Sequence, residues 1–494
     1  MSTPASTPYP DRLKWQSFWV CAGVASLTIL DLSKINVGLP SIEKSLGGGP
    51  TELQLIVAGY ALAFGLALVP AGRLGDVRSR RVMFLIGLTA FTLASLLCAL
   101  APGIHWLVAG RILQGVAAGI QMPQVLGLTQ QLFQGAERGR AFGLFGAVIG
   151  LATAFGPTLG GLLIAVGGET DGWRLLFWMN IPLGIIAIGF AWRLLPRQQV
   201  HDATATSLDL VGILLLGLAT FSLMLPFVLT TGGPDDDPLR WFWLAGFAIF
   251  AAAFLLWERR YLRAGKSPVI HFALFRLPSY RNGIILATAY FAALPAMFLI
   301  VTLFLQQGLE LAAVFAGMVT IPFALLSALT SWIGGRLVNR YGRMLVVVGL
   351  VMVIAGVAAV IPLAMVSPPQ LTPYLVAAAL LIAGAGGGFV ISPNQTLTLQ
   401  EVPVTQGGVA GSIAQVGQRA GTAIGVALAS STYFSTLYAE QGQVVGIDLY
   451  RDAFLRAVLI VIALVAVALV LSLVDLRSRR ARGGDAVHPS GEQT

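Results

Sequence analysis

Gly72-Arg73-Leu74-Gly75-Asp76-Val77-Arg78-Ser79-Arg80 and Gly335-Arg336-Leu337-Val338-Asn339-Arg340-Tyr341-Gly342-Arg343 are two versions of one phrase. Each reads G-R-L, a small or apolar residue, Asp or Asn, and then basic residues. A second pair, Pro123-Gln124 and Pro393-Asn394, recurs at nearly the same separation. Two matched pairs in register indicate an internal duplication. Each phrase follows a long apolar run, so the repeated unit is a membrane-embedded one. Parallel repeats of this kind build transport sites between two halves that rock against each other.

The stretches around these phrases set the number of membrane crossings. Of the 494 residues, 56% are hydrophobic and 11% charged, against about 25% charged in a soluble domain. A helix needs roughly 20 apolar residues to cross the bilayer core. Charge-free intervals have that size: 20 residues between Glu52 and Arg73, 25 between Arg111 and Glu137, and 28 between Arg281 and Glu310. The interval between Arg343 and Glu401 encloses 57 residues, and Ser367-Pro368-Pro369 divides it in two. The reading is an all-α polytopic membrane protein with fourteen transmembrane helices, arranged as two six-helix bundles plus two inserted helices. The expected order is an N-terminal tail (1–15), a first bundle (16–196), two inserted helices (197–257), a cytoplasmic amphipathic linker (258–281), a second bundle (282–475) and a C-terminal tail (476–494).

The basic residues orient the chain. With the N-terminus inside, 23 of the 31 Lys and Arg lie on the cytoplasmic side, five lie outside, and Lys34, Arg111 and Arg419 fall within spans. Such a bias places both termini in the cytoplasm. It also explains the net charge of +9 without a nucleic-acid partner. The two cysteines lie in apolar runs and the four histidines are scattered, so no disulfide framework or metal site is expected. Gly265-Lys266-Ser267 lacks the upstream glycine of a phosphate-binding loop, because position 260 is Arg. No cofactor, ATP included, is therefore expected, and no catalytic cluster points to an enzyme.

Charges inside a membrane are costly and usually functional. Asp31 is the one acid well inside a span, and Lys34 lies one turn away on the same face. Burial favours the neutral carboxyl, whereas Lys34 or Arg111 favours the carboxylate. A group held between those influences can take up and release a proton, or it can form a fixed ion pair that locks packing. Arg111, Gln114, Gln121 and Gln124 recur along one stripe of the fourth span, as candidates for cavity lining or helix-helix hydrogen bonding. Gln415 and Arg419 share a face of the thirteenth. Arg419 can bind an anionic group, balance Asp31 across the repeat, or serve packing. Gly156 and Gly160 have the spacing of closely packed helices, and Pro157 can kink the span. In the repeated phrase, Asp76 can cap a neighbouring helix or pair with Arg80 or Arg73.

These residues resemble a known family. Gly72 to Arg81 is similar to the signature loop between helices two and three of the major facilitator superfamily. Arg111-Ile112-Leu113-Gln114-Gly115 resembles its R-x-x-Q-G motif, and Gly156-Pro157-Thr158-Leu159-Gly160-Gly161 resembles the motif of its antiporters. Leu30-Asp31 with Asn36-Val37-Gly38-Leu39-Pro40, and Gly172-Trp173-Arg174 with Asn180-Ile181-Pro182, resemble the fourteen-helix drug:proton antiporter branch. Lys34 departs from that pattern, which has uncharged residues there.

The resemblance implies a proton-coupled exporter of amphipathic compounds, cationic or neutral and lipophilic, working by alternating access in a bacterial inner membrane. A lipid or endogenous-metabolite exporter on the same fold is the alternative. The implied partners are a small-molecule substrate, protons and the bilayer, with a monomeric protein. The implied roles are proton coupling for Asp31, Lys34 and Arg111, and conformational gating for Gly72, Arg73, Asp76, Arg80, Gly156, Pro157, Gly160 and Gly161. Tyr60, Phe64, Gln114, Gln121, Gln124, Tyr290, Met297, Phe298, Asn394, Gln415 and Arg419 are expected at the substrate cavity.

Overall fold

In a bilayer every backbone polar group must be satisfied within the protein, which leaves long apolar segments to form helices. A computed structural model of the chain has this form. It describes residues 10–48, 50–168, 170–197, 209–230, 236–266, 268–440, 444 and 446–481. The first half runs through α1 (Asp11–Leu46), α2 (Pro50–Val77), α3 (Arg80–Ala99), α4 (Ile104–Leu132), α5 (Gly135–Gly167), α6 (Trp173–Trp178) and α7 (Asn180–Leu194). Next come α8 (Leu210–Val228) and α9 (Trp243–Arg263). The second half is α10 (Pro278–Leu303), α11 (Ala313–Met318), α12 (Ile321–Tyr341), α13 (Arg343–Val366), α14 (Thr372–Thr398), α15 (Gly407–Glu440) and α16 (Ile447–Ala481). The short α6 and α11 continue into α7 and α12, so among the described residues sixteen helical pieces make fourteen long helices.

Twelve of these are long and apolar enough to cross a membrane, among the described residues. The other two are α4 and α15. They carry Arg111, Gln114, Gln121 and Gln124, and Gln415, Gln418 and Arg419. Their polarity does not meet lipid. Arg111, Gln114, Gln121 and Gln124 are all buried, as is Gln415, while Gln418 and Arg419 face a central cavity. The chain is an integral membrane protein whose two most polar spans occupy its middle.

Each half has its own apolar core. One gathers Phe18, Tyr60, Phe64, Phe84, Phe91 and Phe142 from the first half. The other gathers Tyr290, Phe304, Phe323, Val353, Tyr433 and Phe454 from the second. The halves meet where α5 runs along α12 and α14, and where α2 and α4 pack on α15. Gly143 and Gly335 make this approach possible: a Cβ on Gly143 would lie 3.0 Å from the Gly335 Cα and 2.9 Å from the Ser331 carbonyl oxygen. The inserted helices α8 and α9 pair with each other, and α8 rests on α2 and α15. Ile249 and Leu256 of α9 face outward.

Some boundaries differ from the sequence reading. Residues 11–15 already belong to α1 and 476–481 still belong to α16; the tail segments 1–9 and 482–494 lie outside the described residues. The 258–281 linker is divided among several elements. Helix α9 continues to Arg263, a short 3-10 turn spans Phe272–Arg276, and α10 starts at Pro278. Val269, Ile270 and Leu274 are buried against the protein. Val269 and Ile270 cluster with Val69 of α2 and Phe254 of α9. A neighbouring apolar protein surface has captured residues that their pattern assigned to the membrane interface.

Candidate functional site

Asp31 of α1 sits at the centre of a dry polar cluster in the first half. Its carboxylate accepts hydrogen bonds from Arg111 Nη1 at 2.6 Å and Asn180 Nδ2 at 2.7 Å. Lys34 Nζ lies 3.2 Å from the carboxylate and donates to Asn180 Oδ1 at 2.8 Å. Arg111 also donates to Gln114 Oε1 at 2.7 Å and to the Ile56 carbonyl at 3.0 Å. Gln114 and Asn180 both donate to Ser95 Oγ, at 2.8 and 3.2 Å. The Arg111 guanidinium stacks over Tyr60, 4.2 Å from the ring centroid. Asp31, Lys34, Arg111 and Gln114 are all 0% exposed.

Five helices converge to build this cluster, α2 through the Ile56 carbonyl and the Tyr60 ring. Helix α1 supplies the acid and the lysine one turn apart, α4 the arginine, α3 the serine and α7 the asparagine. Small residues on α5 bring it against α1. A Cβ on Gly156 would lie 2.4 Å from Ser33 Cβ, and one on Gly160 would lie 2.9 Å from the Lys34 carbonyl oxygen. The cluster holds two cations and one acid, so it is formally positive. Removing one partner from such a buried set strands the others, at about 3–5 kcal/mol.

A central cavity of about 90 Å³ lies between the halves. Ile29, Met122 and Phe145 wall it from one side; Tyr290, Asn394, Gln415 and Arg419 wall it from the other. Drug-sized pockets measure roughly 300–1,000 Å³, so the cavity is contracted in this conformation. Of the residues expected at the cavity, Tyr290, Asn394, Gln415 and Arg419 line it. Asn394 is also tied into the second half, accepting from Arg343 and donating to the Gly283 carbonyl at 3.0 Å.

The other expected cavity residues lie elsewhere. Gln114 belongs to the Asp31 cluster. Gln121 donates to Thr28 Oγ1 at 2.6 Å, and Gln124 to the Ala71 carbonyl at 2.8 Å. At 3.6 residues per turn the stripe from 111 to 124 spreads over roughly 140°, so its members reach different neighbours: α3, α1 and α2. Tyr60 and Phe64 lie in the first core, with ring centroids 6.1 Å apart. Phe64 carries the Arg419 guanidinium 4.6 Å from its ring centroid. Met297 is buried in the second core and Phe298 packs edge-on against Phe323.

At the end of the molecule bearing the repeated phrases, the halves are tied together. Asp76 Oδ1 accepts from Arg80 Nη2 at 2.7 Å and from the Gly408 amide at 3.1 Å; Oδ2 accepts from the Val409 amide at 2.9 Å. Asp76 thus caps the N-terminus of α15, where the helix dipole favours an anion. Arg80 donates onward to the Val404 carbonyl at 2.6 Å. Gly72 allows the approach: its Cβ would lie 2.8 Å from the Gly408 carbonyl oxygen. Arg73 is buried nearby, and Gly161, at the opposite end of α5, abuts Val314. Pro157 lies within α5, beside Gly317. The second copy of the phrase behaves differently. Asn339 is exposed, and Arg343 pairs with Asp475 of its own half at 2.7 Å.

The sequence reading did not assign a site role to several of these groups. Asn180 stood in a quoted motif, and its place between Asp31 and Lys34 follows from how α7 packs. Gln130 donates to the Leu399 and Val402 carbonyls at 3.2 and 3.1 Å, and Arg138 to the Gln400 carbonyl at 3.3 Å. Their position at the end of polar α4 and the start of α5 was the available signal.

Residues 21–426 match the family described as Major Facilitator Superfamily. The chain is 32% identical over 437 residues to a probable actinorhodin transporter of Streptomyces coelicolor, covering 88% of this chain and 75% of that protein. It is 31% identical over 417 residues to the multidrug resistance protein Stp of Mycobacterium tuberculosis, covering 84% and 74%. The crystal structure of the human organic anion transporter MFSD10 (TETRAN) superposes with a TM-score of 0.67 over 94% of this chain and 100% of that one; at 15% identity it is evidence of shared fold alone. A duplicated helical unit, a cavity between the two halves, and a family match across most of the sequence agree: the chain belongs to the major facilitator superfamily, a family of transporters acting on small molecules.

Proposed function

We propose that this chain is a proton-coupled exporter of amphipathic or lipophilic drugs or antiseptics, working by alternating access. The observation that carries the reading is the Asp31 cluster, a carboxylate at 0% exposure whose every strong partner is a donor. When Asp31 takes a proton, its carboxylate becomes a neutral carboxyl. Arg111, Lys34 and Asn180 then lose their shared acceptor, and two cations remain in a dry site. That state favours a rearrangement of α1, α4 and α7, and release of the proton restores the present one. Coupling follows because protonation has different free energies in the two conformations. The names of the curated relatives, in proteins that align with most of the chain, favour drug cargo over lipid.

The positive-inside bias assigns the end bearing Asp76 and Arg80 to the cytoplasm, together with both termini. On that assignment the ties from Asp76 to α15, and from Arg80 to Val404, close the cytoplasmic side. They break when the site opens inward, with Gly72, Arg73, Gly156, Pro157, Gly160 and Gly161 allowing the surfaces to slide. Two moving bundles, 16–196 and 282–475, joined through the inserted helices and the 258–281 linker, and acting as a monomer in a bacterial inner membrane, complete the reading. The protein is a transporter rather than an enzyme.

The test is transport by purified protein in liposomes under an imposed pH gradient, using a lipophilic fluorescent dye. The wild type should move dye only when the gradient is present. Asp31→Asn should insert normally and lose gradient-driven movement by at least about 100-fold, equivalent to 2.7 kcal/mol of coupling. Full activity in that variant removes Asp31 from the mechanism.

A further inference from the structure

The central cavity holds a cation without a counter-charge. Arg419 lines the cavity, and among the described residues it makes no ion pair and no hydrogen bond. Its contact is with the Phe64 face, 4.6 Å from the ring centroid. Among the described residues no Asp or Glu lines the cavity. Asp31, in the first half, is already engaged by Arg111 and Lys34, so these four groups carry more positive than negative charge. Tyr290, 1% exposed, lines the same cavity, with its hydroxyl against Gly387 of α14. Gln415 lies one turn from Arg419 on the same wall.

We propose that Arg419 makes this cavity a receptor for amphiphiles that carry an acidic group. A guanidinium offers parallel N–H donors that match a carboxylate, and charge-assisted bonds of this kind are about twice as strong as neutral ones. The apolar body of the ligand would lie against Ile29, Met122 and Phe145, which wall the opposite side. The Phe64 ring holds the guanidinium in a cation–π contact, which an anionic ligand replaces with an ion pair. A cationic amphiphile would instead face Arg419 with no acid to offset it. The cationic cargo included in the sequence reading is therefore the class that this cavity disfavours. The inference rests on the transporter reading and narrows its cargo.

Binding of three naphthyl probes with one ring system tests it: a carboxylate, the matching carboxamide and a trimethylammonium. The measurement is titration calorimetry on the purified full chain in lipid nanodiscs. The wild type should bind the carboxylate at least about tenfold tighter than the carboxamide, and the ammonium weakest of the three. In Arg419→Gln the acid-to-amide ratio should fall to near one, whatever the absolute affinity. Arg419→Lys should keep part of the preference, and it carries the test if Arg419→Gln fails to fold. Equal binding of acid and amide by the wild type, or an unchanged ratio in Arg419→Gln, overturns the proposal. Gradient-driven transport of the same probes in liposomes is scored separately. Selective binding without gradient-dependent movement contradicts the exporter reading while leaving the acid-binding site standing.

Discussion

Two arginines in the middle of this protein are treated in opposite ways. Arg111 of α4 is wholly buried, with a carboxylate, an amide oxygen and a backbone carbonyl as its acceptors. Arg419 of α15 faces a cavity and has an aromatic ring as its contact. Each occupies one of the two helices that fall outside the twelve most apolar spans. A buried charge whose partners are all internal belongs to the protein's own machinery. A charge left without a partner on a cavity wall is set up for something that arrives. Between them Tyr60 stacks on Arg111, Phe64 on Arg419, and the two rings are neighbours. The two centres are thus joined by continuous packing.

The contrast can be broken from either side. The largest effect is expected from Arg111→Ala, which leaves Lys34 as the one cation against Asp31 and strands Gln114. It should cost about 3–5 kcal/mol of stability, read as a large drop in thermal unfolding temperature in detergent, together with loss of transport. Gln415→Glu should come next. It places an acid one turn from Arg419, which gives that arginine an internal partner and converts it toward the Arg111 situation. Affinity for an acidic amphiphile should fall about tenfold, or 1.4 kcal/mol, while the carboxamide changes less; calorimetry with the two probes checks this. The smallest effect is expected from Gln121→Ala. It removes one hydrogen bond to Thr28 from a residue in neither centre. A loss of about 0.6 kcal/mol in an unfolding titration, with transport retained, would sharpen the distinction between structural and functional polar groups.

Much of the fold was legible because the bilayer imposes one length on every span, and charges punctuate those lengths. The duplicated phrase made the two halves visible. The exception was the 258–281 segment, where apolar residues among basic ones suit a lipid interface and a protein groove equally. Here Val269 and Ile270 pack with apolar residues of α2, α8 and α9. At the site, Asp31, Lys34 and Arg111 were legible as rare intramembrane charges. Asn180 was not, because an asparagine near the start of a helix is ordinary until α7 places it between Asp31 and Lys34. The glutamines of α4 had two readings in the sequence, cavity lining and helix-helix hydrogen bonding, and here they make the hydrogen bonds. Spacing places them along one stripe, but α1, α2 and α3 surround that stripe closely enough for each neighbour to capture a different side chain. The role of Asp76 had two candidates in the sequence, helix cap and partner of Arg80, and the structure contains both at once.

The most direct test concerns the charge of Asp31 itself. Infrared difference spectra between wild type and Asp31→Asn, recorded on protein trapped closed and then open at the end bearing Asp76, report the carboxyl stretch of this one residue. Alternating protonation predicts an ionised carboxylate in the closed form described above and a neutral carboxyl band in the opposite form. A carboxylate signature that persists in both would contradict proton coupling through this residue and leave the cluster a permanent ion pair.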